Sequence, residues 1–471
     1  MDVALTLKIL ILIIGFYMAW NIGANDVSNA MGTSVGSGAL TIGKAVILAS
    51  IFEFSGAFFL GANVSETMQK GLIDTTLFAQ DPTTLIIGMC AALLGTSVWL
   101  QIASFFGWPV STTHAIVGAI LGFGGLIGGY EAIAWKETSL IAFSWILSPG
   151  LSGLLSYAIF HLLQQKILFA ISPIDASKKF MPVFTGIVFG TFSISLITNG
   201  LKNLHISLSA LEVIFISLSV AILGWAATHL YLRKAKFART ACHLVSPYTL
   251  ISLDKAMKHL QRVELSSYRH THDQIRKILE EVRAISSHLK EGSGLSAHTS
   301  DYQVVEKMFV LLQIFSACFV AFAHGANDVA NAIGPVAAVL DMVKNGATTQ
   351  IAPVPIWLLA VGGLGIVIGL STWGWRVIQT IGKKITELTP TRGFCAEFGA
   401  ATIILIASKM GLPISTTHCL VGAVLGVGLA RGIRAINLSI LKDIVLSWII
   451  TLPASALMSI LFYYLIKALV M

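Results

Sequence analysis

Residues 107–122 read GWPVSTTHAIVGAILG, and residues 411–426 read GLPISTTHCLVGAVLG. In both copies a proline and a polar run of Ser, Thr, Thr and His precede an apolar segment with spaced glycines. Proline is tolerated in the first turn of a helix, and Ser and Thr are common N-cap residues. Each copy therefore predicts a short apolar helix that begins at its hydroxyl side chains.

The repeat extends beyond these two segments. Residues 102–124 and 406–428 align without a gap and share fifteen identities in twenty-three positions. Upstream, GANDVSNAMG at 23–32 and GANDVANAIG at 325–334 share eight identities in ten positions. The motifs follow the same order in both halves, so the chain contains an internal duplication.

The amino-acid composition indicates whether the chain folds in water or in a membrane. Its 471 residues are 55% hydrophobic and only 11% charged, whereas soluble proteins carry roughly 25% charged residues. Several apolar runs reach the roughly 20 residues that a membrane helix needs. Laid end to end, the runs predict about twelve spans. We therefore expect an all-α, multi-pass protein of the cell membrane, which is the inner membrane in a Gram-negative bacterium.

The positive charge of the chain is unevenly distributed. The polar segment 233–307 carries thirteen Lys and Arg against eight Asp and Glu, which is typical of a cytoplasmic loop. Docking of anionic lipid or protein is its alternative role. The predicted loops 165–182 and 380–393 are also net positive, whereas 65–82 and 131–138 are net negative. This bias places both termini outside and argues against nucleic-acid binding.

The sequence thus divides into three parts. They are a first membrane half at 1–232, a mostly helical cytoplasmic loop at 233–307 and a second membrane half at 308–471. On this topology the first copies of both motifs follow spans that end inside, and the second copies follow spans that end outside. The repeat is then inverted, as in secondary transporters, whose interrupted helices meet near the midplane of the membrane.

The hydroxyl-rich turns suit an anionic ligand. A helix start offers unpaired amide donors and partial positive charge, which together favour an oxyanion. The side chains predicted to add to these donors are the hydroxyls of Ser111, Thr112, Thr113, Ser415, Thr416 and Thr417.

The GAND motifs add carboxylates and amides. Asp26 and Asp328 lie at predicted span ends, where an ionised residue is costly unless it is paired or solvated. Asn25, Asn29, Asn327 and Asn331 accompany them, and Gly23 and Gly325 are expected to permit a break in the helix. An oxyanion site surrounded by carboxylates is unbalanced without a cation, so the sequence predicts Na⁺ or H⁺ symport. We expect Na⁺ near Asn25, Asp26, Asn327 and Asp328, and cation coupling at Asp26, Asp328, Glu53, Glu66 and Glu397.

These motifs resemble the inorganic phosphate transporter (PiT) family. GANDVSNA, GANDVANAIGP, PVSTTH and PISTTH match its signatures, as does WRVIQTIGKKITELTPTRGF at 375–394. The resemblance implies cation-coupled phosphate uptake by a homodimer with inverted repeats and no organic cofactor. It assigns phosphate contacts to Asn25, Asp26, Asn29, Ser111, Thr112, Thr113, Asn327, Asp328, Asn331, Ser415, Thr416 and Thr417. Ser28 departs from the family pattern, in which Ala is common at this position.

Other interpretations stay open at this level. A hydrolase or acyltransferase using Ser111, His114 and Asp26 is conceivable, but two intact copies suit a symmetric site better than an enzyme. A metal site could use His114, His324 and His418. Transport of another oxyanion or of a metal–phosphate complex, and a passive anion channel, are the remaining alternatives.

Overall fold

The computed structural model of the chain describes residues 3–70, 72–78, 81–200, 208–235, 247–266, 270–292, 295–345, 354–375, 377–378, 388–432 and 438–470. Most of the predicted loop 380–393 lies outside these residues, as do parts of the polar segment 233–307. Within them the chain is helical and contains no named strand. The expected all-α fold is confirmed.

Fifteen α-helices are present in the described ranges. They are α1 (Val3–Gly36), α2 (Ile42–Leu60), α3 (Ala62–Lys70), α4 (Pro82–Phe106), α5 (Thr112–Ile127), α6 (Trp135–Leu163), α7 (Pro173–Ser195), α8 (Ala210–Lys234), α9 (Pro247–Ser266), α10 (His270–Gly292), α11 (Leu295–Asn345), α12 (Ile356–Thr372), α13 (Pro390–Lys409), α14 (Thr416–Arg431) and α15 (Leu438–Val470).

Nine helical segments among the described residues are long and apolar enough to cross a membrane. Three shorter apolar helices, α5, α12 and α14, accompany them. The count of about twelve spans stays a prediction from the sequence. Two of the three short helices, α5 and α14, follow the STTH turns.

Internal contacts divide the chain into two compact units. The first comprises Met1–Phe160, Val188–Ser219 and Leu311–Met471, and it contains both copies of both motifs. The second comprises His161–Ile187 and Val220–Val310, in which α9 and α10 pack against each other. The division at residues 232 and 307 stays a prediction.

The GAND motifs lie inside continuous helices, so the break expected at Gly23 and Gly325 is wrong. Both α1 and α11 run through their motifs without interruption. The glycines serve close packing: a Cβ on Gly23 would lie 1.9 Å from the carbonyl oxygen of Ile366, and one on Gly325 would lie 2.1 Å from that of Glu53. The missing side chains let α12 approach α1 and let α2 approach α11.

Gly23→Ala and Gly325→Ala are each expected to destabilise the protein by about 1–3 kcal/mol or more, because the added methyl group meets backbone rather than a flexible side chain. Gly43→Ala is the matched control, since a Cβ there meets nothing within 4 Å. Thermal unfolding of the purified variants, followed by tryptophan fluorescence, measures the effect. A melting temperature unchanged in Gly23→Ala would show that the packing is not close.

The STTH turns are where the helices are interrupted. Helix α4 ends at Phe106, Gly107 has a φ of +68°, and α5 begins at Thr112 after the N-cap Ser111. The second copy repeats this arrangement, with φ +70° at Gly411 and Ser415 as the N-cap of α14. Positive φ favours glycine, and the predicted helix starts at the hydroxyl side chains are confirmed. We call the segments 107–116 and 411–420 the first and second hairpin turns.

Each short helix packs on a helix from the other half of the sequence. A Cβ on Gly118 of α5 would lie 2.6 Å from the carbonyl oxygen of Leu452 on α15, and one on Gly422 of α14 would lie 2.2 Å from that of Pro149 on α6. Small residues allow such close helix contacts in membranes. The reciprocal packing brings the two hairpin turns together.

Candidate functional site

The two GAND motifs and the two hairpin turns meet in one buried network. Asp26 and Asp328 are 1% and 0% exposed. The Nδ2 of Asn29 donates to Oδ1 of Asp26 at 3.1 Å and to Oγ1 of Thr417 at 2.8 Å. The Nδ2 of Asn331 donates to Oγ1 of Thr113 at 3.2 Å. Each GAND helix therefore contacts the hairpin turn of the other half.

The hydroxyl groups converge on Asp328. The Oγ1 of Thr416 donates to its Oδ2 at 2.9 Å, and the Oγ1 of Thr112 lies at hydrogen-bond distance from the same oxygen, 3.5 Å away. One carboxylate thus receives a hydroxyl from each hairpin turn.

Asn25 and Asn327 attach the hairpin turns to the GAND helices. The Nδ2 of Asn25 donates to Oγ of Ser104 at 2.9 Å and to the carbonyl of Trp108 at 3.3 Å. The Nδ2 of Asn327 makes the equivalent pair, with Oγ of Ser408 at 3.0 Å and the carbonyl of Leu412 at 3.2 Å. Our sequence prediction omits Ser104 and Ser408, although the serine is identical in both aligned segments.

Several buried oxygens of this network accept no hydrogen bond from the residues that the structure describes. Within the described residues they are buried and have no hydrogen-bond partner: Oδ1 of Asn25, Oδ2 of Asp26, Oδ1 of Asn327, Oδ1 of Asp328 and Oδ1 of Asn331. Buried acceptors without a partner are costly. All five are oxygens of carboxylates or amides, which are the ligand type that hard cations prefer.

His324 lies beside both aspartates. Its Nε2 is 3.0 Å from Oδ2 of Asp328 and 3.9 Å from Oδ2 of Asp26, and its Nδ1 is 3.4 Å from Oε2 of Glu53. The GAND alignment pairs His324 with Ile22, and the carbonyl that faces the other GAND glycine belongs to Ile366 instead of Glu53. The His324–Glu53 pair is therefore found in one half only.

Glu397 forms a second polar cluster in an apolar region. It is fully buried on α13 and accepts from Thr33 at 2.5 Å, Ser34 at 2.7 Å, Ser316 at 2.5 Å and Gln313 at 3.3 Å. When the two repeat alignments are extended without a gap beyond their identical segments, these five residues pair with apolar ones in the other half: Leu93, Pro335, Val336, Ile14 and Ile11. The cluster is an asymmetric addition to a repeated framework.

The structure does not gather every residue predicted from the sequence. Glu66 is exposed on α3, and no described contact joins it to either cluster. Ser111 and Ser415 are buried as N-caps that accept from the amides of His114 and His418. Among the described contacts, neither serine touches the aspartates. Since the caps engage the third amide of each helix, the first two amides are the ones that a helix start leaves open.

The histidines separate into two groups. The ring of His114 packs on the rings of Trp145 and His418, whereas His324 joins the aspartates. The three histidines thus form no common metal site. Although Nδ1 of His114 lies 2.7 Å from Oγ of Ser111, the described contacts bring no carboxylate to this imidazole, so the hydrolase interpretation lacks its third member.

A model of the phosphate transporter family matches residues 22–459. The chain belongs to the phosphate transporter family. A Chlamydia pneumoniae protein whose name describes a phosphate permease is 46% identical, with 99% of each chain covered. The inorganic phosphate transporter 2-1 of Arabidopsis thaliana, named as chloroplastic, is 42% identical over 96% of this chain and 70% of its own length.

A solved structure titled as the sodium-dependent phosphate transporter superposes with a TM-score of 0.80. It is 34% identical and covers 99% of this chain and 100% of its own. The resemblance to this family is thus confirmed over nearly the whole chain. Members of the phosphate transporter family are integral membrane transporters rather than enzymes, as the sequence predicts.

Proposed function

We propose that the chain is a symporter that imports inorganic phosphate with Na⁺ by alternating access. The observation that carries the proposal is the reciprocal network of two carboxylates, four asparagines and four threonine hydroxyls at two helix starts. The sodium-dependent phosphate transporter that shares the fold supports both the substrate and the cation. A homodimer, implied by the resemblance, stays a prediction.

The anion side of the proposal rests on the hairpin turns. Two helix starts lie within one network, and each adds open amides and threonine hydroxyls. Such starts bind phosphate through amide donors and through the helix dipole. Because the two turns contact each other and both GAND helices, one phosphate between them would be reached from both repeats.

The cation side rests on the surplus of negative charge. Asp26 and Asp328 bring two carboxyl groups into one buried site, and a phosphate dianion adds further negative charge. Like charges at close range repel strongly where the dielectric constant is low. Cations bound at the five unpartnered oxygens would neutralise this charge, so neither phosphate nor cation is well accommodated alone.

Glu397 provides a second cation site in this proposal. Three hydroxyls and one amide group from α1 and α11 donate to the carboxylate of Glu397 on α13. Hydroxyls serve as acceptors for a cation as readily as they serve as donors to a carboxylate. Na⁺ bound beside the carboxylate would therefore reorient these hydroxyls so that their oxygens face the cation.

Transport of phosphate with a divalent metal is a second candidate. One ligand atom each from Asp26, His324 and Asp328 lie within 4.8 Å of one another. Imidazole and carboxylate ligands suit a transition metal. Phosphate transport that requires Mn²⁺ or Zn²⁺ in sodium-free buffer would favour this candidate over sodium symport.

Selectivity for phosphate over sulfate is expected to be about 10⁴-fold. A carboxylate of the site accepts the proton of HPO₄²⁻ or H₂PO₄⁻, whereas sulfate at neutral pH carries no proton and leaves that acceptor unpaired. Competition of sulfate with radiolabelled phosphate binding measures the ratio. Equal competition by the two anions would contradict the role of the carboxylates.

Calorimetric titration of the purified chain tests the coupling in the proposed function. Phosphate affinity should rise when Na⁺ replaces choline, and Na⁺ affinity should rise with phosphate by the same factor, because linkage is reciprocal. Phosphate binding that is equally strong with and without any coupling cation would overturn symport.

A further inference from the structure

Four aromatic rings at the two hairpin turns contact one another in series, with successive ring planes inclined by 33°, 40° and 30°. The ring centroids of Trp145 and His114 are 3.8 Å apart, those of His114 and His418 are 4.4 Å apart, and those of His418 and Trp448 are 3.5 Å apart. The order along the stack is Trp, His, His, Trp, so each half supplies one tryptophan and one histidine. We call these four residues the ring stack.

The tryptophans belong to a third pair of matching segments. SWILSPGLSG at 144–153 and SWIITLPASA at 447–456 both begin with Ser-Trp and lie in α6 and α15. The Nε1 of Trp145 donates to the carbonyl of Pro413 at 3.2 Å, and Oγ of Ser447 donates to the carbonyl of Pro109 at 3.4 Å. Each Ser-Trp pair thus contacts the hairpin turn of the opposite half.

The hairpin turns also hold each other directly. The Oγ1 of Thr113 donates to the carbonyl of Ile414 at 2.9 Å, and the Oγ1 of Thr417 donates to the carbonyl of Val110 at 3.5 Å. Two direct bonds and two bonds from the Ser-Trp pairs therefore surround the ring stack. These bonds and the ring stack together join the two helix starts.

The ring stack is linked to the phosphate-facing groups through the backbone. The amides of His114 and His418 donate to the N-cap oxygens of Ser111 and Ser415, both at 3.2 Å. The residue that carries each stacked ring is therefore the residue that closes the first helical turn. The two turns that these histidines close carry the threonines that contact Asn29, Asp328 and Asn331.

We propose that His114 and His418 are positioning residues that set the distance between the two helix starts that bind phosphate. The inference rests on the proposed function, since phosphate is the ligand whose affinity depends on that distance. The described contacts of these two rings are the stack, Ser111 for His114 and the backbone of Trp145 for His418; none reaches the aspartates. Aromatic pairing, rather than ligation by an imidazole nitrogen, is the property the two positions require.

His418 allows these two properties to be tested separately. Among the described residues its Nε2 has no hydrogen-bond partner, and its imidazole has one hydrogen bond, with the backbone of Trp145. His418→Phe keeps a ring in the stack and removes both nitrogens, whereas His418→Leu removes the ring. We expect the dissociation constant for inorganic phosphate to rise about tenfold in His418→Leu and to stay within about twofold in His418→Phe. The maximal uptake rate per folded transporter should change much less than the KM.

Phe123→Leu is the matched control. Phe123 lies on α5, is fully buried and packs on the ring of Tyr463, so the substitution also removes a buried aromatic contact. It should lower the melting temperature without changing phosphate affinity. A double variant of His418→Leu with Ser415→Ala should show a non-additive effect on affinity, because both act on the same helical turn.

Titration of the purified full-length chain with inorganic phosphate, combined with thermal unfolding, decides the inference. A tenfold affinity loss in His418→Leu that His418→Phe rescues supports it. Unchanged affinity in folded His418→Leu would overturn it, as would an equal loss in both variants, which would assign the imidazole nitrogen a ligand role. Failure of the wild-type chain to bind phosphate would instead contradict the proposed function, and it is visible before any variant is made.

Discussion

Asp26→Asn and Asp328→Asn are each expected to reduce sodium-driven phosphate uptake by about 100-fold or more. Asparagine keeps the shape of the side chain but removes one negative charge from the buried network. The cation attracted by the unpartnered carboxylate oxygens is then lost, while the packing of α1 and α11 stays. Initial rates of radiolabelled phosphate uptake, normalised to folded protein in the membrane, measure the effect.

Asp81→Asn is the control for this pair. Asp81 is exposed and caps α4 by accepting from the amide of Thr84 at 3.2 Å. Asparagine caps helices about as well as aspartate, so the same chemical change outside the site should leave uptake intact. Wild-type uptake in Asp26→Asn or Asp328→Asn would remove that carboxylate from the mechanism.

Glu397→Gln is expected to raise the Na⁺ concentration for half-maximal uptake by about tenfold or more, since a charge-assisted contact is stronger than a neutral one. Glutamine replaces one carboxylate oxygen with an amide donor, which then faces either the hydroxyls of Thr33 and Ser34 or the hydroxyl of Ser316. The phosphate KM at saturating Na⁺ should change little, because the hydroxyls of the hairpin turns are untouched. Uptake measured against Na⁺ concentration separates the two effects.

Glu66→Gln provides the comparison for Glu397. The sequence places both glutamates in apolar surroundings, but the structure leaves Glu66 exposed on α3. A sodium dependence unchanged in Glu66→Gln and shifted in Glu397→Gln would confirm the separation. Equal shifts of the sodium dependence in both variants would show that Glu66 also takes part in cation coupling.

The repeated parts of the site are predictable from the sequence. Identical residues in two copies mark Asn25, Asn327 and the STTH hydroxyls, and N-cap chemistry predicts where α5 and α14 begin. The same signal marks Ser104 and Ser408, which our prediction left out. Where the duplication repeats a residue, it also repeats the residue that it contacts: Asn25 donates to Ser104, and Asn327 donates to Ser408.

The asymmetric parts are much harder to predict. Thr33, Gln313 and Glu397 are far apart in the chain, and their counterparts in the other half are apolar, so the duplication gives no signal. The continuity of α1 and α11 is equally hidden, because glycine within a polar motif is as compatible with a break as with a close helix contact. Only the packed structure distinguishes the two.

The Ser-Trp segments fall between these cases. Trp145 and Trp448 occur in matching segments, but these segments share only a few identical residues. Apolar helices that are not repeats of each other share about as many. Trp145 contacts His114 and Trp448 contacts His418, whereas the close backbone packing is that of α6 on α14 and of α15 on α5. Tertiary structure is therefore needed to connect the tryptophans with the hairpin turns.

Radiolabelled phosphate uptake into proteoliposomes that contain the full-length chain tests the proposed symport most directly. An imposed Na⁺ gradient alone should drive phosphate above its equilibrium distribution, and collapse of that gradient should abolish the accumulation. An imposed H⁺ gradient of the same magnitude should not replace it. Phosphate movement that only follows its own gradient, whatever cation gradient is imposed, would contradict coupled transport.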